Sequence, residues 1–152
     1  MVNSISVIGW GYILLKIGLQ IFINREEYLA SDISFDVMVL KGVQLFQIMD
    51  IILIVIGKSK GSLLGGFFQI LGRNIVSLVF ISEESDRLRF ATVAIIWAMA
   101  DINRYMYYLF KDNALTGFLR YNSFILLYPI GVFGEMMIIN NFIKLNSEWL
   151  LD

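Results

Sequence analysis

The sequence predicts an all-α protein in which a bundle of helices crosses a membrane several times. Hydrophobic residues make up 58% of the 152 positions and the mean hydropathy is +0.72, well above the values of a soluble globular chain. The apolar residues are also gathered into five long stretches with short polar connections between them. A bilayer is the solvent in which such a composition is stable, so we expect a single transmembrane domain over residues 1–152.

The residue types that are missing exclude several classes of function. The net charge is −1 and the chain has no basic tract, which argues against a nucleic-acid partner. Because the chain has no Cys and no His, we expect no thiolate nucleophile, no disulfide and none of the usual zinc or di-iron sites. Acid–base chemistry must then use Asp, Glu, Tyr or Lys. We expect neither a metal nor another cofactor.

Each of the five apolar stretches is long enough to cross a hydrocarbon core of about 30 Å at about 1.5 Å per residue. They are predicted as transmembrane helices at residues 5–23, 37–56, 63–81, 90–110 and 118–139. The short connections favour antiparallel neighbours in one bundle. Lys58 and Lys60 lie in the second connection, Lys111 and Arg120 flank the fourth, and the first and third are mainly acidic. This bias places the N-terminus and the second and fourth connections in the cytosol.

Besides Lys41 and Arg120, which lie close to the start of their spans, six ionisable residues fall inside these predicted spans, where each costs about 2.5–3.5 kcal/mol at a helix centre. They are Lys16, Asp50, Arg73, Asp101, Arg104 and Glu135. Three are basic and three are acidic, which indicates pairing inside the bundle. In the fourth span, the spacing of Trp97, Asp101, Arg104 and Tyr108 puts them on one helical stripe that is expected to face protein. Either these polar residues only hold helices together, or they form a site.

The fifth span carries a tyrosine and a carboxylate on one helix face. Tyr128 and Glu135 are separated by two helical turns and about 10.5 Å of rise. Pro129, the only proline in the chain, is expected to kink the helix between them, and Gly131 and Gly134 permit close approach of a backbone or a substrate. Taken alone, Tyr128 is better explained as an ordinary packed aromatic ring and Glu135 as an interfacial carboxylate near the helix end.

This segment resembles the signature of the 3-hydroxyacyl-CoA dehydratase family. The family pattern is R-Y-x-x-F-x-x-L-Y-P-x-G-x-x-x-E, and RYNSFILLYPIGVFGE has the specified residue at every fixed position. The matching residues are Arg120, Tyr121, Phe124, Leu127, Tyr128, Pro129, Gly131 and Glu135. A match of this length is specific.

Other segments extend the resemblance over nearly the whole chain. WAMADINRY is similar to the family's W-x-x-x-E-x-x-R-Y, with Asp101 in place of Glu, and QILGR is similar to Q-x-x-S-R, with Gly72 in place of Ser. In the second span, FQIMD stands where the family has L-E-I-L-H, so Gln47 and Asp50 replace a Glu and a His. The family has six transmembrane helices and five are predicted here, which leaves open a reduced form or a sequence that stops short.

The resemblance implies dehydration of a 3-hydroxyacyl-CoA to the trans-2-enoyl-CoA, with Tyr128 and Glu135 at the family's two catalytic positions. The reaction needs a base for the C2 proton and an acid for the leaving hydroxyl. Glu135 is the expected base and Tyr128 the expected acid, and the reverse assignment stays open.

Four more residues are candidates for contact with the substrate or with the developing oxyanion: Arg73, Arg104, Tyr121 and Arg120. Arg73 or Arg104 is expected either to hold the thioester oxygen or simply to pair with Asp50 or Asp101. The CoA head would stay near the basic residues of the cytosolic connections, which are Lys58, Lys60, Lys111 and Arg120.

The resemblance also implies a multi-pass protein of the endoplasmic reticulum membrane that acts in very-long-chain fatty acid elongation. The expected partners are a long-chain 3-hydroxyacyl-CoA, the lipid bilayer and other elongation enzymes. The alternative is a catalytically impaired or truncated homologue that serves those enzymes as a membrane scaffold. A third hypothesis is a small transporter, but the sequence shows neither the inverted repeats nor the paired broken helices that are typical of transporters. The family was once described as phosphatase-like, but that chemistry needs a Cys thiolate, and this chain has no Cys.

Overall fold

The computed structural model describes residues 2–57, 63–82, 86–110 and 113–148. Every regular element in this part of the chain is a helix, which confirms the all-α prediction. The helices are α1 (Val2–Ala30), α2 (Ser34–Phe46), α3 (Ile48–Val55), α4 (Leu63–Ile75), α5 (Arg87–Leu109) and α6 (Ala114–Glu148), and a π-helical segment (Val76–Phe80) continues α4. The predicted orientation and the expected CoA contacts both depend on Lys58, Lys60 and Lys111. These three lysines lie outside the described residues.

These helices occupy the positions of the five predicted spans. α2 and α3 together cover the second span and are separated by Gln47, whose backbone N–H donates to the carbonyls of Val43 and Gln44 at 3.3 and 3.1 Å. α4 and its π-helical continuation cover the third span.

Two helices among the described residues are long and apolar enough to cross a membrane, Ile5–Ala30 and Ala114–Ser147. A shorter apolar helix covers Gln69–Phe80. α5 carries several charged residues, and the second predicted span is broken at Gln47. A helical membrane protein fits these helices, whereas the count of five spans stays a prediction.

α5 is the central helix of the described structure. It packs against α1 on one side and against α6 on another. Its fully buried side chains include Phe90, Trp97 and Tyr105, and Trp10 of α1 is equally enclosed. Large rings of this kind supply most of the contact area in a helical core, so α5 fixes where its neighbours lie.

The helices alternate in direction along the chain when α2 and α3 are counted as one segment and the π-helical segment is counted with α4. Near one end of the bundle, Arg87 at the start of α5 donates from Nε to the carbonyl of Ser31, just after α1, at 3.1 Å. Near the other end, the Arg120 guanidinium lies 4.4 Å from the centre of the Tyr107 ring, so the start of α6 lies beside the end of α5. The start of α1, the end of α3, the start of α4 and the start of α6 therefore lie near this second end. It is the end that the charge bias assigned to the cytosol.

Glycines allow α6 to lie close to α5. A methyl group added at Gly134 would lie 2.7 Å from Val93 Cγ2, and one added at Gly131 would lie 3.5 Å from Ile96 Cγ2. The backbones therefore approach each other through small residues, as is common between membrane helices.

α6 is one unbroken helix through Pro129. The proline ring removes the N–H that would bond to the carbonyl of Ile125, but the turns on both sides remain helical. Tyr128 and Glu135 therefore stay about two turns apart on a continuous helix.

Replacing Gly134 by Ala is expected to destabilise the protein, because the added methyl group meets Val93, a buried and β-branched side chain with little rotamer freedom. Overpacking of this kind costs about 1–3 kcal/mol. The measurement is the midpoint of thermal unfolding of the purified protein in lipid nanodiscs. Gly18→Ala is the matched control, because nothing lies within 4 Å of the added methyl group, and it should equal or exceed the wild type. Equal midpoints for the two variants would contradict the close contact.

Candidate active site

A fully buried carboxylate, that of Asp101 on α5, is the centre of a polar network. Arg73 Nη1, from α4, donates to Asp101 Oδ2 at 2.8 Å, and the side-chain amide of Gln47 donates to the same oxygen at 2.8 Å. Arg104, one turn further along α5, places Nη2 3.1 Å from Asp101 Oδ1. The carboxylate thus joins α4 and the α2–α3 junction to α5.

A second carboxylate, that of Asp50 on α3, extends this network. The Tyr105 hydroxyl donates a hydrogen bond to Asp50 Oδ2. Arg104 Nη2 lies 3.9 Å from the same oxygen and donates to the Tyr105 hydroxyl at 3.0 Å. Two carboxylates therefore face two guanidinium groups, so the pairing expected from the sequence is present here. Lys16 pairs elsewhere, with Asp36 at the start of α2, a residue outside the predicted spans.

The two polar replacements in the second span, Gln47 for Glu and Asp50 for His, both belong to this network. Gln47 donates to Asp101, and Asp50 accepts from Tyr105. A carboxylate at position 47 would lie directly against Asp101, where like charges repel, whereas the amide makes a hydrogen bond. The second carboxylate of the network, that of Asp50, lies about one turn beyond Gln47, and its Oδ2 is 3.9 Å from Arg104 Nη2. Two carboxylates therefore balance two guanidinium groups.

Glu135 is held by a neighbour on α5. Trp97 donates its indole N–H to Glu135 Oε1 at 2.8 Å. The Arg73 guanidinium lies over the Trp97 ring, 5.4 Å from its centre, and so connects Glu135 indirectly to the Asp101 network. The stripe predicted on the fourth span does face protein: Trp97 and Asp101 are fully buried, and Arg104 and Tyr108 are partly buried.

Tyr128 and Glu135 line one cavity of about 410 Å³. Arg73 reaches the same cavity, and the other described residues of its lining are Gln69, Gly72, Phe124, Leu127, Gly131 and Val132. The Tyr128 ring stacks on Phe124 with a centroid distance of 5.0 Å and is 55% exposed. The wall is therefore mostly apolar, with a phenol, a carboxylate and a guanidinium as its reactive groups.

A smaller cavity of about 150 Å³ adjoins the first and shares Gln69, Arg73, Phe124, Leu127 and Tyr128 with it. Its further lining residues are Ala100, Asn103, Arg104, Arg120 and Ser123.

The structure thus brings five of the six predicted site residues to the two cavities: Tyr128, Glu135, Arg73, Arg104 and Arg120. The sixth, Tyr121, is an exposed side chain beside Arg120 and lines neither cavity.

Sequence reasoning missed the bond from Trp97 to Glu135 and the polar lining residues Asn103 and Ser123. A signal for Ser123 was present, because it follows Arg120 by three residues and precedes Leu127 by four, the spacing of one helix face. No comparable signal exists for Trp97, since its partner lies 38 residues away on another helix. Among the described residues, no group of three acidic side chains is arranged to hold a metal ion.

Comparison with known proteins assigns these residues to a family. The model of the family described as "Protein tyrosine phosphatase-like protein, PTPLA" matches residues 44–150. The chain belongs to the PTPLA family. This membership confirms the resemblance seen in the sequence, and the matched range includes the Asp101 network and every residue that lines the two cavities.

Relatives of this PTPLA-family chain carry dehydratase names. A Danio rerio protein named very-long-chain (3R)-3-hydroxyacyl-CoA dehydratase is 24% identical over 155 residues, which cover 97% of this chain and 43% of that protein. A Homo sapiens protein named very-long-chain (3R)-3-hydroxyacyl-CoA dehydratase 3 is 23% identical over 155 residues, which again cover 97% of this chain and 43% of that protein. A Schizosaccharomyces pombe protein named probable very-long-chain (3R)-3-hydroxyacyl-CoA dehydratase is 26% identical over 147 residues, 90% of this chain and 69% of that protein.

The chain spans less than half the length of these vertebrate relatives. No solved structure matches it.

Asp101→Asn is expected to destabilise the protein by about 3–5 kcal/mol, because it leaves buried guanidinium charge without its main partner. Adding Gln47→Glu should recover much of the loss, since this side chain lies 2.8 Å from Asp101 Oδ2 and returns a carboxylate to the same place. Gln47→Glu alone should destabilise through repulsion from Asp101.

These variants are compared by thermal unfolding in nanodiscs, with the exposed Asp32→Asn as the control for loss of one acidic charge. If the double variant is no more stable than Asp101→Asn, charge balance is not what stabilises the network.

Proposed function

We propose that this chain catalyses the elimination of water from a long-chain 3-hydroxyacyl-CoA to give the trans-2-enoyl-CoA. The proposal places it in the membrane of the endoplasmic reticulum, among the enzymes of very-long-chain fatty acid elongation. Membership of the PTPLA family and the dehydratase names of relatives at 23–26% identity support the reaction class.

The observation that carries the proposal is that Tyr128 and Glu135 open onto one cavity. Elimination requires a base to take the weakly acidic C2 proton and an acid to protonate the C3 hydroxyl as it leaves. A carboxylate and a phenol that line the same cavity supply the two groups that this elimination needs around the C2–C3 bond of a bound substrate. The apolar wall of the same cavity suits an acyl chain.

The contact with Trp97 favours Glu135 as the base. Trp97 occupies Oε1, while Oε2 accepts no hydrogen bond from the residues that the structure describes. One oxygen is thereby fixed and the other is left to take the C2 proton. Tyr128 then acts as the acid, and its ring is held against Phe124.

Arg73 suits the role of stabilising the enolate oxygen better than Arg104 does. Arg73 lines the cavity that contains Tyr128 and Glu135, whereas Arg104 lines only the smaller cavity and has carboxylates on two sides. A guanidinium already held by Asp101 is preorganised, so little reorganisation is needed when negative charge develops on the thioester oxygen.

Tyr128→Phe and Glu135→Gln are each expected to lower the rate of dehydration by a factor of about 10² or more, since each removes one partner of the acid–base pair. The measurement is the formation of enoyl-CoA from a long-chain 3-hydroxyacyl-CoA by the purified chain in nanodiscs. Tyr12→Phe and Glu26→Gln, both on α1 and outside the two cavities, are the matched controls and should keep wild-type rates. Full activity in either cavity variant would rule out the assignment.

Trp97→Phe is expected to lower kcat about tenfold with little change in KM, because it removes the N–H that holds Glu135 without touching a cavity wall. Trp10→Phe is the matched control: Trp10 is equally buried, and its indole N–H has no partner among the described residues. Both variants lose similar volume from the core, so thermal unfolding should shift similarly in both. A fall in kcat of the same size in both would mean that Trp97 acts through packing alone.

A further inference from the structure

The smaller cavity differs in character from the one that contains Glu135. Three arginine side chains line it, those of Arg73, Arg104 and Arg120. We propose that this cavity, through Arg120, binds the phosphate-bearing end of the carrier on which the acyl thioester is presented. The inference rests on the proposed dehydratase function and concerns a part of the substrate that Tyr128 and Glu135 do not handle.

The three arginines differ in how their charge is balanced. Arg73 is paired with Asp101, and Arg104 lies between Asp101 and Asp50. Arg120 has no carboxylate within ion-pair distance and donates no hydrogen bond to any residue that the structure describes. In that part of the chain it is therefore the cavity arginine whose charge remains for a ligand to neutralise.

Aromatic rings hold the Arg120 guanidinium in place. Its central carbon lies 4.4 Å from the Tyr107 ring centre, 5.3 Å from that of Tyr108 and 5.9 Å from that of Tyr121. Cation–π contacts of this kind engage the delocalised charge while the N–H groups in the guanidinium plane stay available. Those N–H groups match two oxygens of a phosphate in a bidentate arrangement.

The remaining polar lining of this cavity also suits an oxyanion. Gln69, Asn103 and Ser123 contribute amide and hydroxyl donors, and no acidic side chain is among the described residues of the wall. A phosphate offers several acceptor oxygens and no strong donor, so it pairs well with such a set.

The spacing along α6 agrees with a phosphopantetheine carrier. Arg120 precedes Tyr128 by eight residues, which corresponds to about 12 Å of helical rise. With the thioester near Tyr128, a flexible arm extending towards the α5–α6 connection brings its phosphate to Arg120. Phe124 and Leu127 line both cavities and provide a continuous wall for that arm. This is also the end of the bundle that the charge bias assigns to the cytosol.

The test compares two ligands that differ only in the phosphate-bearing part. One is a saturated long-chain acyl-CoA, which cannot be dehydrated, and the other is the same acyl group on unphosphorylated pantetheine. Binding of each to the full chain is measured in zwitterionic nanodiscs. The wild type should bind the CoA ester at least about tenfold more tightly, as a charge-assisted hydrogen bond predicts. Arg120→Gln should weaken acyl-CoA binding about tenfold to a hundredfold and leave acyl-pantetheine binding unchanged.

Arg120→Lys keeps the charge but loses the planar donors, so its preference for the CoA ester should be intermediate. Arg25→Gln, an exposed arginine near the opposite end of the bundle, is the matched control and should keep the full preference. The inference is overturned if Arg120→Gln weakens the binding of acyl-CoA and of acyl-pantetheine equally, or weakens neither.

A lipid headgroup is another source of phosphate. If binding to phosphatidic acid vesicles depends on Arg120 while acyl-CoA binding does not, the inference is also overturned. Because binding is measured without turnover, a wild-type chain that binds acyl-CoA through Arg120 but dehydrates nothing would refute the proposed function alone.

Discussion

The burial of Asp101 is the constraint on which the interior of this protein depends. Removing a carboxylate from water costs several kcal/mol unless hydrogen bonds and opposite charges replace the solvent. Arg73, Arg104 and Gln47 supply them from α4, from α5 itself and from the α2–α3 junction. The hydrogen bonds from Gln47 and Arg73 are both made to a single oxygen, Asp101 Oδ2. The rotation of α4 about its axis and the position of the α2–α3 junction must therefore both suit that one atom.

The same network reaches the proposed site, because Arg73 is paired with Asp101 and also lines the cavity that contains Tyr128 and Glu135. Arg73 lies over Trp97, and Trp97 holds one oxygen of Glu135, so the orientation of that carboxylate depends on groups that α4 and α5 position. α6 also meets α5 through small residues that let the backbones approach, through a hydrogen bond from Arg89 to Asn141 and through the contact of Arg120 with Tyr107. The buried charges therefore position the site, whereas Tyr128 and Arg120 lie at its accessible wall.

Much of this arrangement follows from the sequence. Composition predicted helices, and the helices lie where the apolar stretches predicted them. The spacing of Trp97 and Asp101 correctly put both on a buried face. Pairing of Lys16 with Asp36 was not foreseen, because Asp36 falls just before a predicted span and was assigned to a connection.

By itself, then, the sequence determined the fold class, the helix positions and the family, because hydrophobic content, periodicity and a contiguous motif are local properties of the chain. Only the tertiary structure decided which polar groups meet. Gln47 and Asp101 are 54 residues apart, and Trp97 and Glu135 are 38 apart, so each contact depends on the depth and rotation of two helices packed together. The periodicity of the sequence predicts which face of a helix is buried. It does not predict which other helix packs against that face, or how far the two helices are shifted along their axes. That information resides in the packing of α4, α5 and α6 around Asp101.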